Sequence, residues 1–187
     1  MKKFILFLFF AAIFIGCTEH TPKPTGFSRI DKPTYTYKQF DAPDFSIQYA
    51  GIATIETVQK EDKSGYWFNI LYPNYQATIY CSYIPVTTNS LKDALNDSYH
   101  LAYSHTSKAN DINPTIFQDY EKKINGTIYD LTGDVATPIQ FFVTDSVSHF
   151  LRGSLYFDNQ VNTDSIAPVV QYIRTDIQKI IENINWK

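Results

Sequence analysis

The sequence predicts an α+β fold, an antiparallel sheet packed with two main helices. Three observations lead there. Short β-branched and aromatic runs alternate in polarity along much of residues 45–157. Brief turn clusters join them, which implies antiparallel neighbours, because parallel strands need long crossovers. Two stretches, about 90–106 and 166–184, instead space their apolar residues by three and four.

The chain has 187 residues, of which 44% are hydrophobic, 19% charged and 16% aromatic. That is enough apolar material for one domain with a true core, and it excludes a disordered chain. The net charge is −3, with no Lys/Arg block beyond the first three residues, which argues against a nucleic-acid partner.

Residues 1–16 read as a signal peptide. Lys2 and Lys3 precede the 12 apolar residues Phe4–Ile15, a run too short to span a bilayer comfortably. Gly16-Cys17 ends the run and resembles a bacterial lipobox, with Phe14 where Leu is usual. Cys17 is then the lipidation site, carrying acyl chains such as palmitate, and no cofactor or metal is expected. Two or three chains, at roughly 0.8 kcal/mol per buried CH₂, hold a protein stably on a membrane. The mature chain of 171 residues keeps 14 cations against 19 acids, a net charge of −5. Its one remaining thiol, Cys81, falls on the apolar side of an alternating run and is expected in the core.

Residues 17–44 contain Pro22, Pro24, Pro33 and Pro43, which disfavour a helix. They read as a lipidated tether followed by an extended arm whose Phe27, Ile30, Tyr35, Tyr37 and Phe40 lie across the domain. Residues 45–187 form the single α+β domain. Its first strands are Phe45–Tyr49 and Ile52–Val58, followed by the turn cluster Glu61–Gly65. Tyr66–Tyr72 is a strand stopped by Pro73. Gln76–Ile84 places Ala77, Ile79, Cys81 and Tyr83 on one face. Ser90 with Asp93 suggests the start of the first helix, with Leu91, Ala94, Leu95, Ser98, Ala102 and His105 on its stripe.

Asn125-Gly126 predicts a type I′ turn between a strand at 115–124 and Thr127–Thr132. Gly133-Asp134 turns again. Pro138–Thr144 and His149–Phe157 form a hairpin across residues 145–148. The last helix repeats Ile166, Val169, Val170, Ile173, Ile177, Ile180, Ile181 and Ile184, with Thr163 or Asp164 as N-cap and Pro168 in the first turn. Gln171, Arg174, Asp176, Lys179 and Glu182 make its polar face. The layout looks like the PsbP/Mog1-type fold, a likeness that carries no function.

Catalytic signals are weak. His100 and His105 are five apart, whereas helical metal pairs prefer four. Asp145, Ser146 and His149 are the residue types of a serine hydrolase, but no G-x-S-x-G surrounds Ser146, and Asp and Ser in a hairpin loop serve as turn formers. Neither a P-loop nor G-x-G-x-x-G is present. Tyr66, Trp67, Tyr72, Tyr75, Tyr80 and Tyr83 crowd into one strand pair, so that one face is core and the other either offers Tyr rings to a partner or is covered by a helix or the N-terminal arm.

Several stretches carry a family resemblance. They are Pro22–Asp31 (PKPTGFSRID), Trp67–Pro73 (WFNILYP), His105–Ala109 (HTSKA) and Tyr129–Gly133 (YDLTG). Ala77–Ile79 (ATI), Ser82-Tyr83, Ala136–Phe141 (ATPIQF), Thr144–Ser146 (TDS), His149–Gly153 (HFLRG), Leu155–Phe157 (LYF), Asp164–Pro168 (DSIAP) and the closing Trp186-Lys187 complete the set. The chain resembles the GldD gliding motility lipoproteins of the Bacteroidota over nearly its whole mature length. It departs from them at Thr137, where Ser is expected, and at Val161, where Pro is expected.

The resemblance implies a non-enzymatic envelope lipoprotein that supports gliding and the associated type IX secretion machinery by assembling or stabilising its components. It implies a lipid anchor facing the periplasm, and other gliding or secretion proteins as partners. The family motifs concentrate at His105, Lys108, Asp145, Ser146 and Arg152, which are expected to share one polar interaction patch. The alternative is an envelope protein that binds or hydrolyses peptidoglycan or another glycan, since aromatic clusters suit sugar stacking.

Overall fold

A computed structural model of the chain describes residues 34–59, 64–158 and 163–187, with side chains of the last segment from 166 onward. The signal peptide, Cys17, Phe27, Ile30, most of the Glu61–Gly65 turn and the side chains of the candidate caps Thr163 and Asp164 lie outside what it describes.

The strands, in chain order, are β1 (Tyr37–Asp41), β2 (Phe45–Ala50), β3 (Thr54–Val58), β4 (Tyr66–Tyr72) and β5 (Ala77–Pro85). After the first helix come β6 (Ala109–Asp119), β7 (Ile124–Gly133), β8 (Ile139–Thr144) and β9 (His149–Phe157). The short β10 (Asn185–Trp186) follows the last helix. The helices are α1 (Thr88–Tyr103) and α2 (Thr163–Glu182). Seven strands form one sheet in the order β3-β4-β5-β9-β8-β7-β6, every neighbouring pair antiparallel. A second sheet runs β1-β2-β10. The α+β class with two helices therefore holds.

Strand alternation splits the core between the two faces of the large sheet. Phe68, Ile70, Ile79, Cys81, Phe141 and Leu151 meet α2 and the small sheet on one side. Phe142, Phe150, Tyr129 and Leu131 meet Ala94 and Ala102 of α1 on the other. Every residue of β8 is buried, as a strand covered on both faces requires. Cys81 is buried on the expected side, and desolvation pushes its thiol far up, which leaves it unreactive.

Several boundaries move. The first helix begins two residues earlier than expected, because Thr87 rather than Ser90 is the N-cap. The Thr87 hydroxyl accepts the Ser90 N–H, and the Ser90 side chain accepts the Thr87 N–H in return. The helix ends at Tyr103, so His105 sits in the following turn. The Asn125-Gly126 turn is not formed. Both residues lie inside β7, where a Cβ on Gly126 would stand 2.7 Å from the Phe142 carbonyl oxygen. Glycine there permits close approach of strands. The turn comes earlier, at 120–123, where Asp119 Oδ1 accepts the N–H groups of Glu121 and Lys122 at 3.0 Å each and Lys123 takes φ 53°.

Pro168 lies inside α2, beyond its first turn. An interior proline costs about 3 kcal/mol. Ile173, Ile177, Ile180 and Ile181 are each 0–1% exposed, and burying each stabilises by about 1.5–3 kcal/mol, which outweighs that loss.

Asp176 is the largest correction. The sequence pattern puts it on the polar face of α2, whereas it is 0% exposed. Three tyrosine hydroxyls donate to its carboxylate: Tyr35, Tyr37 at 3.1 Å and Tyr72 at 3.2 Å. Burial raises its pKa and outweighs the opposing pull of those three bonds. Tyr35 and Tyr37 belong to the N-terminal arm, so this buried carboxylate fastens the arm to α2. The other polar residues of α2 stay outward or reach across. Arg174 holds Asp130 of β7 through Nε and Nη2 at 2.7 and 2.8 Å.

Candidate functional site

The two long hairpins end side by side. Register places Asn125 of β7 opposite Thr144 of β8, so the β6–β7 turn and the β8–β9 turn share one end of the sheet. β10 joins them there, because Trp186 pairs with Phe45 and its Nε1 donates to the Lys123 carbonyl at 3.2 Å. Together these segments line a groove of ≈ 650 Å³ that includes Lys123, Asp145, Val147, His149 and Trp186.

Each wall of the groove is held by local chemistry. Asp145 Oδ1 accepts the backbone N–H groups of Val147, Ser148 and His149, each at 2.9 Å, and Oδ2 accepts the Ser148 hydroxyl at 3.1 Å. Burial alone would raise its carboxyl, but these donors bring it below the usual carboxylate range. Ser146 takes φ 65°, and its N–H donates to Thr144 Oγ1 at 3.0 Å. The His149 ring stacks on Trp186 at 5.1 Å between centroids, and its Nδ1 lies 2.9 Å from the Tyr83 hydroxyl. Lys122 and Lys187 tie down neighbouring segments by donating to the carbonyls of Glu182 and Ala42.

This rigid end presents apolar side chains to solvent. Tyr120 at the tip of one turn is 82% exposed and Val147 at the tip of the other is 65% exposed. Ile116 on β6 is also exposed. A pair of clamped turns that hold large apolar groups in water can act as a docking surface at low entropic cost.

The five residues expected to form one patch occupy three places. Asp145 and Ser146 belong to this end. His105 and Lys108 follow α1 at the opposite end of the sheet, where the Lys108 carbonyl approaches Gly133 at the close of β7. Arg152 lies midway along β9, paired with Ser82 and Phe142, on the α1 side of the sheet. Sequence reasoning missed that Tyr120 and Trp186 come to the same end of the sheet as Asp145. Their convergence follows from strand register, and the local residue pattern carries no sign of it. Of the crowded tyrosines, Tyr72 and Tyr83 are core, whereas Tyr80 is half exposed on the other face.

Among the described residues no three His, Cys, Asp or Glu side chains converge as metal ligands, and no helix is long and apolar enough to cross a membrane. The hydrolase-like trio is engaged elsewhere: the Asp145 carboxylate caps its own loop, and the His149 Nδ1 faces Tyr83.

The sequence model of one family, described as gliding motility lipoprotein GldD, matches residues 17–186. No curated protein matches the chain. The chain belongs to the GldD gliding motility lipoprotein family, with the role in gliding and the lipid-anchored membrane association that the family description carries.

Proposed function

We propose that this GldD-family lipoprotein is a non-enzymatic assembly or stabilising factor for the gliding apparatus and its associated type IX secretion machinery. It docks on a protein partner in the envelope through the hairpin end. The observation that carries this reading is the placement of Tyr120 and Val147, exposed on clamped turns at the end of the sheet opposite the one where Tyr35 brings in the N-terminal arm. The arm enters beside Tyr72, Tyr75 and Tyr172, at the end where β4 passes into β5. A lipid on Cys17, facing the periplasm, would tether that end and leave the hairpin end to meet a partner. Asp145 and Ser146 act there by shaping the turn.

A photo-crosslinking residue at position 120 or 147, in cells that depend on this protein for gliding, tests the idea. The expected result is capture of a gliding or secretion component from those positions and not from position 99 on α1. Tyr120→Glu with Val147→Glu should abolish spreading while leaving the protein folded and lipidated. Normal spreading by that double variant would overturn the docking role.

A further inference from the structure

We infer that the cleft beside α1, on the face of the large sheet that carries that helix, is a binding surface for a linear carbohydrate. α1 packs over β7, β8 and β9. α1 also reaches Ile84 near the end of β5. Beside it on the same face, a cleft of ≈ 470 Å³ lies over β4, β5 and β9, within the range of ligand pockets.

Register gives the cleft its pattern. On this face Trp67, Ser82 and Arg152 form one row across β4, β5 and β9, and Asn69, Tyr80 and Ser154 form the next. In the third row Thr78 pairs with Tyr156. Trp67, Tyr80 and Tyr156 therefore run diagonally across three adjacent strands, a spacing of about 7–8 Å per step. Tyr80 is 50% exposed and Tyr156 37%, and their rings meet edge to face at 5.7 Å. The T-shaped contact fixes both rings in place.

The residues beside the rings decide the ligand. Ser82 and Ser154 supply hydroxyls, Asn69 an amide and Arg152 a donor fork. Arg152 is the one cation lining the cleft, so a polyanion would find a single countercharge there. An apolar helix would leave the hydroxyls and the amide unpaired. A chain of sugar rings matches both features. Its C–H faces lie on the aromatic diagonal and its hydroxyls reach the amide, guanidinium and serine groups.

The test uses the lipidated protein in a zwitterionic detergent free of sugar headgroups. The probes are cellohexaose, chitohexaose and glycan strands released from peptidoglycan, titrated by calorimetry. Backbone amide shifts of Tyr80, Ser82 and Ser154 are followed in parallel. The expected result is saturable binding of at least one probe, with shifts confined to this face. Tyr80→Ala or Arg152→Gln should weaken it at least tenfold, and Tyr120→Ala should not. The probe that binds separates a plain β-glucan from an N-acetylated strand. The inference is overturned if no probe binds at millimolar concentration, or if Tyr80→Ala with Tyr156→Ala binds as the unaltered protein does. Neither result bears on docking at the hairpin end, which uses other residues.

Discussion

Replacing Asp176 with alanine removes the acceptor shared by three tyrosine hydroxyls, and the cost can be worked from their surroundings. Tyr72 is 1% exposed, so water cannot replace the carboxylate. An unsatisfied buried hydroxyl costs about 1–3 kcal/mol. Tyr35 and Tyr37 are only partly covered, and each loses a net hydrogen bond of about 0.5–1.5 kcal/mol. These losses come to about 2–6 kcal/mol, and relief of the carboxylate's own desolvation, limited by the proton its raised pKa lets it hold, offsets part of them. The net loss expected for Asp176→Ala is about 1–3 kcal/mol. In a domain of this size that lowers Tm by roughly 2–12 °C.

Asp176→Asn keeps an acceptor and the shape, and should cost less. Its pH dependence separates the causes. Burial raises the folded pKa of Asp176 above its unfolded value, so the folded state binds the proton more tightly. The stability it contributes is complete below the ordinary carboxylate pKa and falls as pH climbs through the raised folded value. Urea unfolding of the unaltered protein and Asp176→Asn, at steps between pH 3.5 and 7.5, should show the unaltered protein losing ground as pH rises. Hydrogen exchange of the β1 amides should quicken in Asp176→Ala. A variant as stable as the parent, or a difference that grows in the parent's favour with pH, would refute the account.

Other consequences follow from single residues. A Cβ on Gly153 would stand 2.4 Å from two ring atoms of buried Phe141, so Gly153→Ala should cost about 1–3 kcal/mol in urea unfolding. Asp145→Ala frees three backbone N–H groups of the β8–β9 turn and should cost about 1 kcal/mol, the site being partly exposed. Because its folded pKa is lowered, that contribution is present above the ordinary carboxylate pKa and disappears as pH falls through the folded value. Acid unfolding curves of parent and variant should therefore converge at low pH. Cys17→Ala should abolish incorporation of labelled fatty acid, and unchanged labelling would refute lipidation at that residue.

Regular periodicity was the most legible part of the sequence. Tyr66–Tyr72 and His149–Phe157 alternate strictly enough that their strands start and stop where expected, and the isoleucine stripe of α2 packs as its spacing requires. Asn125-Gly126 misled because the same dipeptide that favours a turn also lets two strands approach. The turn that forms instead bends at Lys123, a residue with no turn signal of its own. Asp176 was legible by position and hidden by polarity. It lies three residues after Ile173 and four before Ile180, on the buried stripe, yet a carboxylate there is expected outside. Only the tyrosines delivered by the arm and by β4 make its burial tolerable, and those contacts span 141, 139 and 104 residues of chain.

The same distinction governs the surfaces. Asp145 and Ser146 stood out locally because turn chemistry is local. Their neighbours Tyr120 and Trp186, and the diagonal of Trp67, Tyr80 and Tyr156, exist only once β7 pairs with β8 and β5 with β9 in one register. A one-residue slip of β5 against β9 would turn Tyr80 inward and break the diagonal. The buried Ile79, Cys81 and Tyr83 forbid that slip, because it would carry them into water. The core therefore fixes the surface pattern: the alternation that makes Cys81 and Tyr83 interior also sets Tyr80 and Ser82 facing outward beside Arg152.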